Sequence, residues 1–143
     1  QKAVDVAKEM PEGTVILGSD TVVAADGKIL GKPKSHEEAY EMIRRLAGRS
    51  HQVYTGVCLV KKGPEGEADT VVSFYDETDV NVSPMTEKEI REYADSEEPM
   101  DKAGAYGIQG AFGMYIRGIE GDYNTIVGLP LARVYQEMKE YIY

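Results

Sequence analysis

Asp20 is the residue whose surroundings most need a chemical explanation. It stands in Gly18-Ser-Asp20-Thr, between the apolar, β-branched runs 14–17 and 21–24. A carboxylate set between two segments that read as buried strand is costly unless something pairs with it. Two roles meet that need: a metal ligand or general base at a strand end, or a turn aspartate bonded to its own backbone. Gly31-Lys32-Pro33 follows, with Asp26-Gly27 between them reading as a tight turn. A hairpin there would return Lys32 towards Asp20, and a carboxylate and an ammonium on one rim suit a metal-bound phosphate. A third stretch, Asp101-Lys-Ala-Gly-Ala-Tyr-Gly-Ile-Gln-Gly110, sets Lys102, Tyr106 and Gln109 among three glycines. Its backbone can approach a ligand closely, although a plain connecting loop has the same composition. It is neither a Walker phosphate loop nor a Rossmann fingerprint.

Mixed helices and strands must hold these residues. Ala3, Val6, Ala7 and Met10 share one face at helical spacing, and the opening, without an initiator Met, reads as a helix entered partway through, with residues preceding it. Ser35-His-Glu-Glu38 has the capping-box pattern, and Ala39, Met42, Ile43, Leu46 and Ala47 behind it predict an amphipathic helix closed by Gly48. Arg44 and Arg45 suit the C-terminal end of that helix dipole. Residues 51–60 and 69–82 predict two long strands joined as an antiparallel hairpin. Thr86-Glu-Lys-Glu89 opens a second capped helix carrying Ile90, Tyr93 and Ala94. Residues 113–119 predict a strand and 123–127 a short apolar piece. Pro130 opens a last helix, whose buried face is predicted as Leu131, Val134, Tyr135 and Met138. With no repeat, linker or composition break, the chain reads as one α+β domain over residues 1–143.

Composition narrows the partners. A chain of 143 residues with 42% hydrophobic and 29% charged residues can bury a core, and no apolar run is long enough to span a membrane. The formal net charge of −9 opposes nonspecific binding to nucleic acid or an anionic membrane, so a small polyanion needs a locally basic pocket and a divalent cation. Cys58, the one cysteine, reads as a small buried hydrophobe and fits a reducing, cytoplasmic setting. His51, with no second His or Cys at ligand spacing, reads as structural rather than as a ligand.

Five motifs in order, SDTVV at 19–23, GKP at 31–33, VYTGV at 53–57, DKAGAYGIQG at 101–110 and IEGDYNTIVGLPL at 119–131, closely resemble the Maf family of nucleotide pyrophosphatases. The resemblance runs from about Lys2 to the end of the chain. It implies an inosine triphosphatase-like fold: a twisted mixed sheet with helices on both sides and a central cleft. It also implies metal-dependent hydrolysis of a nucleoside triphosphate between its α and β phosphates, using Mg²⁺ or Mn²⁺, and a homodimer. Carried over residue by residue, Asp20 would be the catalytic carboxylate, as base for the attacking water or as metal ligand, with Thr21 beside it. Lys2, Lys32 and Lys102 would contact phosphate or polar edges of the substrate, and Gln109 the nucleotide. Members with Asp-Thr at this point and the full late loop resemble hydrolases of dTTP and UTP, while those with Asp-Gln act on methylated guanine nucleotides. The family's Ser- and Arg-bearing phosphate loop and a metal-holding glutamate would lie before Gln1. The competing readings are a nucleotide-binding regulator of septum formation with weak or no catalysis, and a partner-binding domain.

Overall fold

The computed structural model describes residues 2–143. Its centre is a five-stranded sheet in the order β2-β1-β3-β4-β5. β1 is Val15–Ala25, β2 Lys28–Leu30, β3 Ser50–Lys61, β4 Thr70–Val82 and β5 Ile116–Glu120. The α+β class holds, with helices on both faces. The mixed sheet expected from the resemblance is, among the described residues, antiparallel at every pairing. For two of the four pairings the reason is local. β1–β2 and β3–β4 are hairpins, and Asp26 and Gly27 turn the first of them at φ 51° and 76°, the left-handed pair that matches strand twist.

The expected break at Gly18-Ser-Asp20 does not form. β1 runs unbroken, paired with β3 from Val15↔Lys61 to Ala24↔Gln52. Ladder bonds to a long neighbour override the poor strand preference of Gly and Asp. Asp20 is therefore a mid-strand residue opposite Gly56, not a turn aspartate. Along its other edge β1 pairs with β2 only at Val23–Ala25.

Alternation along the strands separates two apolar layers. On one face α1, Lys2–Ala7, packs Ala3 and Ala7 against Cys58 and Val60. Val6 and Met10, predicted to share that face, are exposed by 44% and 38%, because the face that α1 turns to the sheet is Ala3, Val4 and Ala7 and the helix ends before Met10. The other face holds the main core. There α2, His36–Leu46, buries Ala39, Ile43 and Leu46 under Val23, Val53 and Val80. Burial of Ile43 and Leu46 stabilises the fold by about 1.5–3 kcal/mol each. Ser35 caps α2 by accepting the Glu38 N–H. α3, Glu87–Ala94, has the complete predicted capping box between Thr86 and Glu89. α4, Tyr123–Val127, replaces the predicted apolar piece with a short helix capped by Asp122.

α5, Leu131–Tyr141, lies on the same face, but turned from the expected orientation. Val134, Met138 and Ile142 face Val57 and Leu59, while Leu131 and Tyr135 are each 55% exposed. The predicted strand 113–119 also starts late. Ala111–Tyr115 is a 3₁₀ turn, since Gly113 N–H donates to the Gly110 carbonyl and a Cβ on Gly113 would lie 2.8 Å from the Ile108 carbonyl oxygen.

Candidate active site

Asp20 and Thr21 are consecutive in β1, so their side chains leave opposite faces of the sheet. Asp20 is exposed and borders a cleft of about 510 Å³, together with Lys2, Ser19, Gly56 and Ser73. Gly18 lets α1 settle close to the sheet: a Cβ there would stand 3.4 Å from the Ala3 Cβ. That approach carries Lys2, the first residue of α1, to the rim of the same cleft. Nothing lies within 4 Å of a Cβ built on Gly56, so the floor opposite Asp20 is open. Among the described residues, neither Asp20 nor Lys2 forms an ion pair. Opposite charges thus face a common space and are free to engage a ligand.

Thr21 opens on a second cavity, of about 600 Å³, on the other face of β1. Lys32, Lys102, Gln109, Glu98 and Tyr106 also line it. The hairpin therefore forms as expected but does not return Lys32 to the rim of Asp20: the two residues line separate cavities that flank β1. The turn leaves Gly31 beside the late loop, where the Gly104 N–H donates to the Gly31 carbonyl at 3.1 Å. This bond ties the segments carrying Lys32 and Lys102 to each other.

The late loop is fixed from beneath. Gly104, at φ 70°, sits so close to β1 that a Cβ would meet Val23 Cγ1 at 2.8 Å. The Tyr106 hydroxyl lies 2.7 Å from His51 Nε2, and the two rings meet edge to face. His51 is buried, and burial pushes its imidazole pKa down to about 4, so it is neutral at pH 7. Its Nδ1 has no partner among the described residues. Burial likewise raises the Tyr106 phenol above its ordinary range.

Glu98 fixes the far end of the loop. It accepts from the Tyr93 hydroxyl at 2.6 Å and from the Ala111 N–H at 3.0 Å. Burial pushes its carboxyl up, but the bonds from Tyr93, Ala111 and Phe112 outweigh this and hold it below the usual carboxylate range. Gly110 passes so close that a Cβ would fall 2.0 Å from Glu98 Oε1.

Sequence reasoning missed Glu98 and the supporting pair His51–Tyr106. Glu97 and Glu98 are indistinguishable in the chain, and only the path of the loop selects one of them. His51 reads correctly as structural, but its partner lies 55 residues away.

No three His, Cys, Asp or Glu side chains among the described residues converge as a closed metal cage. Asp20 offers one exposed carboxylate oxygen pair on an open cleft. That donor set fits a Mg²⁺-like ion, which is commonly held by one or two carboxylates together with substrate phosphates.

The family model of Maf-like proteins matches residues 1–141. A protein of Lachnoclostridium phytofermentans named dTTP/UTP pyrophosphatase is 51% identical over 140 residues, covering 98% of this chain and 71% of the relative. One of Carboxydothermus hydrogenoformans with the same name is 51% identical over 143 residues, covering 100% of this chain and 74% of the relative. One of Clostridium perfringens strain 13, again so named, is 45% identical over 140 residues, covering 98% and 71%.

Proposed function

The chain belongs to the family of Maf-like proteins, and on that footing we propose that it is a nucleoside triphosphate pyrophosphatase acting on dTTP and UTP. The reaction adds water across the bond between the α and β phosphates and releases the monophosphate and pyrophosphate. The observation that carries this reading is the placement of Asp20 and Thr21. They are adjacent in one strand, yet one faces a cleft shared with Lys2 and the other a cavity shared with Lys32, Lys102 and Gln109. Along this part of β1 only the β3 side is paired among the described residues. A substrate crossing the other edge of the strand meets both sets of groups.

In this reading Asp20 accepts the proton of the attacking water. Lys2 and Lys32 approach the phosphate tail from either side of β1 and offset charge that grows on the leaving pyrophosphate. Each such contact is worth on the order of 2–4 kcal/mol in the transition state. Thr21 and Gln109 take the nucleoside end, and Lys102 lies between. A divalent cation held by Asp20 and the phosphates would add charge neutralisation at the same place. Residues 1–143 act here as one domain, and a homodimer is proposed from the family resemblance alone.

The test is pyrophosphate release from a panel of nucleoside triphosphates with Mg²⁺ or Mn²⁺. We expect dTTP and UTP to lead the panel, each giving the monophosphate. Binding of triphosphates without release, or release of orthophosphate in place of pyrophosphate, would overturn the assignment.

A further inference from the structure

A chain of hydroxyls runs from the second cavity into the core. Thr21 Oγ1 lies 2.9 Å from Thr55 Oγ1. Thr55, fully buried, lies 2.7 Å from the Thr125 carbonyl oxygen. The Thr125 hydroxyl, also fully buried, donates to Asp76 Oδ2 at 2.6 Å. These contacts bring together β1, β3, β4 and α4.

Counting protons fixes the direction of every bond. A carbonyl oxygen only accepts, so Thr55 spends its single hydroxyl proton on Thr125. Thr55 can then only accept from Thr21, and Thr21 must donate. The Thr21 proton is committed inward, and what Thr21 offers the cavity is lone pairs alone. The inward acceptor, the Thr125 carbonyl, is held in place because its own side chain is bonded to Asp76.

We propose that Thr55, backed by Thr125 and Asp76, is a positioning residue that sets Thr21 as a hydrogen-bond acceptor and thereby selects a ligand bearing an N–H donor at that point. The inference rests on the nucleotide reading above and deepens it. A uracil or thymine ring carries an imide N–H at N3, where cytosine carries a bare acceptor nitrogen. An imide meets the Thr21 lone pairs with a donor, and cytosine meets them lone pair to lone pair. A buried polar group left facing the wrong partner loses its bond and bears the desolvation cost as well.

The test compares UTP with CTP in the wild type, Thr55→Val and Thr55→Ser. Val keeps the shape but removes the hydroxyl, freeing the Thr21 proton to turn outward. The preference in kcat/KM for UTP over CTP should fall about tenfold in Thr55→Val, through KM rather than kcat, and return to within about twofold of wild type in Thr55→Ser. A folded Thr55→Val protein that keeps the wild-type preference would overturn the proposal. The relay is also read without turnover, from the Thr21 hydroxyl proton by NMR. Slow exchange with a cross-peak to Thr55 supports it, and fast exchange with solvent overturns it. Wild-type protein that releases no pyrophosphate from UTP defeats the functional reading instead, and the hydroxyl measurement still decides the relay.

Discussion

On one side of β1, Asp20 and Lys2 stand exposed over an open floor with no ion pair between them. On the other side, one residue along, Thr21 is the end of a hydroxyl chain, and the loop around its cavity is held by His51, Tyr93 and Glu98. Spare charge on the first side costs little fold stability to maintain, because water solvates it until a ligand arrives. Fixed polarity on the second requires a core built to hold it. On the proposed function, reaction power and recognition can therefore be lost separately, although the two residues share a peptide bond.

The sharpest way to break that comparison is to change each neighbour in turn. Asp20→Asn should lower kcat on the order of 10³-fold with the melting temperature nearly unchanged, since the side chain supports no internal contact. Thr21→Val should act mainly on KM and on the UTP preference. Steady-state kinetics with a melting curve for each variant checks both, and equal losses of kcat would erase the distinction.

The next largest effect is on pH dependence. The His51 pKa is held at about 4, below the ordinary 6.5, so folding favours its neutral form. The stability this contributes is fully present above pH 6.5 and is lost as pH falls towards 4, on the order of 3 kcal/mol in all. His51→Gln should flatten that part of the stability profile in denaturant titrations from pH 7 to pH 4. A profile as steep as wild type would remove His51 as its cause.

Smaller still is Gly110→Ala. Its Cβ would collide with Glu98 Oε1, forcing the carboxylate off the Ala111 N–H at about 1–3 kcal/mol of stability. We expect the lost order to appear as a raised KM, measurable beside the melting temperature. Last comes Arg49→Ala, which removes an exposed ion pair to Asp26 at 3.0 Å behind the β1–β2 turn. Solvent screening limits that change to about 0.5 kcal/mol, with kinetics unaffected.

Much of the scaffold is legible in the chain because its signals are local. The caps at Ser35 and Thr86, the Asp26-Gly27 turn and the long β3–β4 hairpin each follow from residues a few positions apart. Errors arise where a long-range contact outweighs local preference. β3 straightens the polar stretch around Asp20, and the sheet turns α5 so that Tyr135 faces water. The candidate site is only half legible. Its residues stand out as types and motifs, but their division between two cavities does not.

The order of residues by itself determined that a carboxylate, several ammonium groups and a glycine-rich loop exist in one chain. Tertiary structure alone decided which of them share a space. Side chains alternate across a strand, so one backbone step sends Asp20 to Lys2 and Thr21 to Lys32, Lys102 and Gln109. It also decided which way the Thr21 proton points. That direction depends on a carbonyl at Thr125, brought within reach by packing and by no pattern in the chain.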